Sequence, residues 1–177
     1  MATNTTESPE EDFSPSTPSS TPSSPSRARK KLPSSTLTPS EIKTLLTLKI
    51  HEIGHAADTR NFDLSSPPWS THFSPSARIS TGVLTSDSAT GDSLQEFVPR
   101  LERVCKEVPE FKQTAKEVLV SVNRRKSWAT ALVNVEFEGR PRGLVRPGVA
   151  RVEFAVDGHG EWVVVRWESV RGVDWGW

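Results

Sequence analysis

His51-Glu52-Ile53-Gly54-His55 is the pattern in this chain with the most chemistry in it. On a helix, histidines at i and i+4 share a face and can bind zinc, and the glutamate between them can activate a water. A catalytic zinc takes three protein ligands plus water. The extended metalloprotease pattern would place a glycine and a third histidine at positions 58 and 61, where this chain has Asp58 and Asn61. Helix geometry adds a second objection. At about 100° per residue from Ile42, the apolar stripe Ile42, Leu45, Leu46, Ile50, Ile53 and Ala57 centres near 30°, while His51 and His55 fall near 180° and 220°. A zinc metalloprotease is therefore the less favoured alternative. No metal or cofactor is expected, with His51 and His55 the only candidate ligands.

The next ionisable groups that could act together are Asp58, Arg60, Asp63 and His72, with Trp69 as an aromatic neighbour. In a pocket, a buried carboxylate could abstract a proton and a histidine return it. Cys105 is the single cysteine, so neither an internal disulfide nor a cysteine-rich zinc site is available. With 22 basic and 22 acidic residues the formal charge is zero, against the basic face of a general nucleic-acid binder. No stretch approaches the ~20 apolar residues of a membrane span. The first residues, MATNTTESPEED, hold no apolar signal core, so an intracellular location, cytoplasmic or nuclear, is the expectation.

These residues need elements to hold them. Residues 1–37 contain ten Ser, six Thr and six Pro and few large apolar side chains, the composition of a disordered tail. Thr38-Pro39-Ser40-Glu41 then reads as a capping box opening a helix over about 39–59, with Leu37 and Ile42 as a hydrophobic staple. Ser65-Ser66-Pro67-Pro68-Trp69 starts a short second helix, and Ser76 to Val83 a short strand. Asp92 is placed to cap a third helix, which carries Leu94, Phe97, Val98, Leu101, Val104 and Cys105 on one face and Pro99 inside it. From Phe111 the period changes to two, predicting strands at about 112–123, 127–138, 145–156 and 161–172.

Helices first and an antiparallel run after them give an α+β domain over 38–177. Alternation sorts the sheet. One face collects Val118, Ala131, Val133, Phe154, Val163, Val165 and Trp167 and must cover the helices. The other collects Trp128, Leu132, Arg151, Glu153, Trp162, Val164 and Glu168. The inward face offers no acid, base or nucleophile, which argues against catalysis. An apolar pocket is expected under the helices, with Trp69, Ala131, Phe154 and Trp167 as binding walls and Asp63 and His72 as its polar groups.

The run from His55 through Asp63, then Ser66-Pro67-Pro68-Trp69 and His72-Phe73-Ser74-Pro75, resembles the first two helices of SnoaL-like domains of the nuclear-transport-factor-two-like superfamily. Leu94–Phe111 resembles the third helix of that family, and Trp162-Val163-Val164-Val165-Arg166-Trp167 its closing hairpin. The resemblance covers about 38–173. It implies a strongly curved sheet wrapped around three helices into a cone-like barrel with a pocket at the open end, and frequent homodimers through the outer sheet face. Some members are cyclases, isomerases or dehydratases using a pocket Asp–His pair, for which the resemblance makes Asp63 and His72 the candidate catalytic residues, and many only bind or scaffold. The strands here lack an inward acid or histidine. The expected function is accordingly that of a module that binds a small apolar molecule or dimerises through Trp128, Trp162, Arg151 and Glu168. A cyclase or isomerase is the alternative, and neither membrane nor nucleic acid is expected as a partner.

Overall fold

The computed structural model describes residues 37–81, 91–139 and 142–171. Residues 1–36 of the expected tail lie outside these residues. Helix α1 (Pro39–Asp58) starts as its sequence requires. The Thr38 side chain accepts from the Glu41 amide, the Glu41 carboxylate accepts from the Thr38 amide at 2.7 Å, and Pro39 occupies the first turn. It buries Ile42, Leu46, Ile50, Ile53, Ala56 and Ala57 against the sheet. A one-turn helix α2 (Trp69–His72) follows, then strand β1 (Phe73–Thr81) and helix α3 (Leu94–Glu107). The cap of α3 is Ser93, not Asp92. Ser93 and Glu96 form the capping box, while Asp92 pairs its backbone with Ile79 and its carboxylate with Arg100 at 2.7 Å.

Four further strands then run in sequence: β2 (Lys112–Asn123), β3 (Trp128–Glu138), β4 (Val145–Val156) and β5 (Trp162–Arg171). Their bounds match the alternation closely. The sheet order is β1-β5-β4-β3-β2, curved and unclosed, with β2 to β5 antiparallel and β1 parallel to β5. The sheet is therefore mixed, a correction to the purely antiparallel reading, and β1 forms one edge with Pro75 in it. An edge strand tolerates proline because one side of its backbone need not donate to a neighbour. Gly139 (φ 91°) lets the β3–β4 turn come close to the α3–β2 turn, since a Cβ there would lie 3.0 Å from Glu110 backbone.

One strand breaks the face assignment. The β4–β5 register pairs Glu153 with Arg166 but Phe154 with Val164, so Val165 sits in a bulge. An extra residue inverts every side chain beyond it. Trp162 and Val164 consequently point into the core, 2% and 0% exposed, instead of outward. Val163 and Val165 leave the inner face, and Trp167 keeps it.

Candidate functional site

Inside the cone, between α1, α2, α3 and the concave sheet, lies a cavity of about 40 Å³. Ile50, Ile53, Trp69, Phe73, Phe97, Val133, Phe137 and Trp167 contribute its apolar walls, and Thr81, Gln113 and Ser169 its polar groups. Among the described residues no ionisable side chain lines it. Ligand pockets run to roughly 300–1,000 Å³, so the cavity is far smaller than a small-molecule site. Trp69 and Trp167 are among the residues that line it. Ala131 and Phe154 are not: each is fully buried elsewhere in the core, paired across strands with Val152 and Val164.

The ionisable chemistry sits outside the cavity, where α1 meets α2. The His72 imidazole is buried, with Nε2 at 2.5 Å from the Glu52 carboxylate and Nδ1 at 3.2 Å from the Lys49 amine. The Thr71 hydroxyl also reaches Nδ1, at 3.0 Å. An ammonium only donates, so Nδ1 accepts from Lys49 and the proton on Nε2 is donated to Glu52, a neutral imidazole with a fixed tautomer. Burial is the main cause holding the His72 pKa below its ordinary value; the Glu52 bond opposes the shift, and the charge of Lys49 adds to it. Lys49 is itself 5% exposed. Its place was readable: on the α1 wheel it falls about 50° from the centre of the apolar stripe. The pairing of His72 with Glu52, twenty residues apart, left no signal of its own.

Asp63 and His72 take different partners. Asp63 is exposed in the loop after α1, where its carboxylate accepts from the amide and hydroxyl of Ser65, which hold its pKa low. Trp69 is anchored by its indole N–H, which donates to the Asn61 carbonyl at 2.7 Å. Arg60 staples α1 to the α3–β2 turn, donating to the carbonyls of Pro109 and Phe111 and to the Cys105 sulfur. Asp58 accepts from the Gln113 amide at 3.4 Å. His51 and His55 are exposed on the far side of α1. Among the described residues no group of three or more His, Cys, Asp or Glu side chains is placed to hold a metal. No helix among them is long and apolar enough to cross a membrane.

The sequence matches no family model and no curated protein. Solved structures do match. An NTF2-like (nuclear-transport-factor-two-like) protein of unknown function from Pseudomonas putida superposes with a TM-score of 0.61 at 11% identity, over 78% of this chain and 92% of that one. A proposed dehydratase of the NTF2-like family from Streptomyces avermitilis gives 0.57 at 15% identity, over 77% and 99%. A proposed ketosteroid isomerase from Shewanella frigidimarina gives 0.52 at 10% identity, over 70% and 92%. The mixed, curved, unclosed sheet laid over three helices is the architecture these proteins share, and the chain has the nuclear-transport-factor-two-like fold.

Proposed function

We propose that this domain is a homodimeric interaction module, joined through the outer face of its sheet, and that it works by association rather than by turnover. The supporting observation is the composition of that face. Register lays three rows across it: Leu119, Leu132, Arg151 and Glu168; Ser121, Thr130, Glu153 and Arg166; and Glu117, Asn134 and Val149. Leu119, Leu132 and Val149 are 58%, 50% and 45% exposed. They form an apolar centre flanked by both signs of charge, including Arg151–Glu153 and Arg166–Glu168 pairs at 2.5 Å. A two-fold dimer apposes a patch to itself, so mixed charge around an apolar centre suits a second copy of this chain. Zero net charge removes long-range repulsion between copies. Trp162, inside the core, takes no part; Trp128 stands half-buried at one end of β3.

A second reading, a small apolar ligand in the central cavity, is supported by its walls and its three polar groups. It requires side chains to move, because the cavity is small. Cyclase or isomerase chemistry through Asp63 and His72 has less support, since neither lines the cavity. Sedimentation equilibrium tests the dimer. The full chain should sediment as a dimer at micromolar concentration and Leu132→Glu as a folded monomer. A wild-type monomer at high micromolar concentration would overturn the reading.

A further inference from the structure

The far side of α1 carries two imidazoles one helical turn apart. His51 and His55 are both exposed and line a groove of about 580 Å³ with Leu48, Glu52, Ala56, Thr59 and Pro68. Neither imidazole has a hydrogen bond or ion pair among the described residues. At i and i+4 their Cβ atoms stand about 5–6 Å apart, close enough for two ring nitrogens to converge on one ion. The helix that holds them is fixed before any ion arrives, by the capping box at one end and by the Thr59 hydroxyl and amide on the His55 carbonyl at the other. Little ordering cost is left for binding.

We propose that His51 and His55 form a two-imidazole chelate for a borderline divalent cation of the nickel, copper or zinc class. Neutral imidazole nitrogen suits these ions, with copper held more tightly than nickel or zinc. The remaining coordination positions face the groove and are filled by water or by a donor on whatever enters it. Glu52 takes no part. One of its carboxylate oxygens, Oε2, accepts from His72 Nε2, and the proposed chelate uses the two ring nitrogens alone. The site is a binding chelate, distinct from the outer sheet face and independent of dimerisation. Two ligands hold an ion less firmly than three or four, which fits a site that exchanges its metal and does not copurify with it.

Titration calorimetry of the metal-free full chain with nickel chloride tests this. One nickel per chain should bind near neutral pH. His51→Ala and His55→Ala should each weaken binding by at least the roughly 10–100-fold that losing even an outer partner costs a metal site. Glu52→Gln and His159→Ala should stay within a few-fold of wild type. Unchanged affinity in His55→Ala overturns the chelate, as does a comparable loss in His159→Ala. A comparable loss in Glu52→Gln would instead implicate the carboxylate and contradict the two-nitrogen site. A measurement on the unaltered chain guards against misfolding: paramagnetic nickel should broaden the ring resonances of His51 and His55 first and leave buried His72 sharp. Uniform broadening of all four histidines would count against the site.

Discussion

The central cavity and the α1–α2 junction lie on adjoining sides of the same helix, and they divide its chemistry between them. Ile50, Ile53 and Ala57 face a cavity with no ionisable wall among the described residues. Lys49 and Glu52, their immediate neighbours in sequence, hold a buried histidine whose tautomer they fix. In the first region the helix contributes volume, and in the second it contributes charge. The fold's interior is therefore occupied by core, while its polar groups lock one element to another. That division is why the outer surface, and not the cone, carries the functional proposal.

The largest effect should come from turning the cavity into a real void. Ile50→Ala should cost about 2–5 kcal/mol in chemical denaturation, the usual range for a buried large-to-alanine change. The enlarged space should admit a small apolar probe such as benzene, with a rise in Tm that wild type does not show. If wild type binds the probe equally well, the native cavity is more open than its volume implies. At the junction, His72→Ala removes the acceptor that faces the Lys49 amine, at a cost of roughly 1–3 kcal/mol. A loss below a few tenths would mean that the junction is solvated.

The pH dependence separates the two regions more finely. Burial sets the folded His72 pKa below the 6.5 of an unperturbed imidazole. Between the two values the unfolded chain binds more protons, so this contribution to stability is complete above about 6.5 and lost as pH falls through the folded value. Ile50→Ala should keep that acid-side decline in Tm. His72→Gln, neutral at every pH, should reduce it, although carboxylates elsewhere supply a decline of their own at lower pH. The smallest effect belongs to neither region. Thr38→Ala should cost about 1 kcal/mol through the lost cap, with no change in the pH profile.

Sequence reading reached the elements better than their contacts, for identifiable reasons. The Thr38–Glu41 box and the strands from Lys112 onward carry strong local signals, so their bounds were legible. The bulge at Val165 was not, because Val163, Val164 and Val165 are alike in polarity and a run without alternation carries no phase. Placing Trp162 outside followed from that silence. The cap of α3 was ambiguous for a similar reason. Asp92 and Ser93 both make good caps, and Gln95 and Glu96 each stand three residues after one of them. Lys49 was in view on the apolar stripe, yet its residue type argued for solvent, and spacing gave no sign of the His72 nitrogen that α2 brings to 3.2 Å from its amine. Asp63 and His72 could be named as ionisable neighbours, but which of them faced the other, or the cavity, depended on a turn held by Ser65 and Asn61 that spacing alone does not specify.

Cross-saturation NMR tests the central claim, association through the outer sheet face, most directly. Deuterated, ¹⁵N-labelled chains are mixed with unlabelled protonated ones, and saturation of the protonated partner is read at the amides it touches. The amides of Leu119, Leu132 and Arg151 should lose intensity, with those of α1 and the cavity walls unaffected, and Leu132→Glu should abolish the transfer. Transfer confined to α1 or to the β1 edge, or none at concentrations where the chain sediments as a dimer, would contradict it.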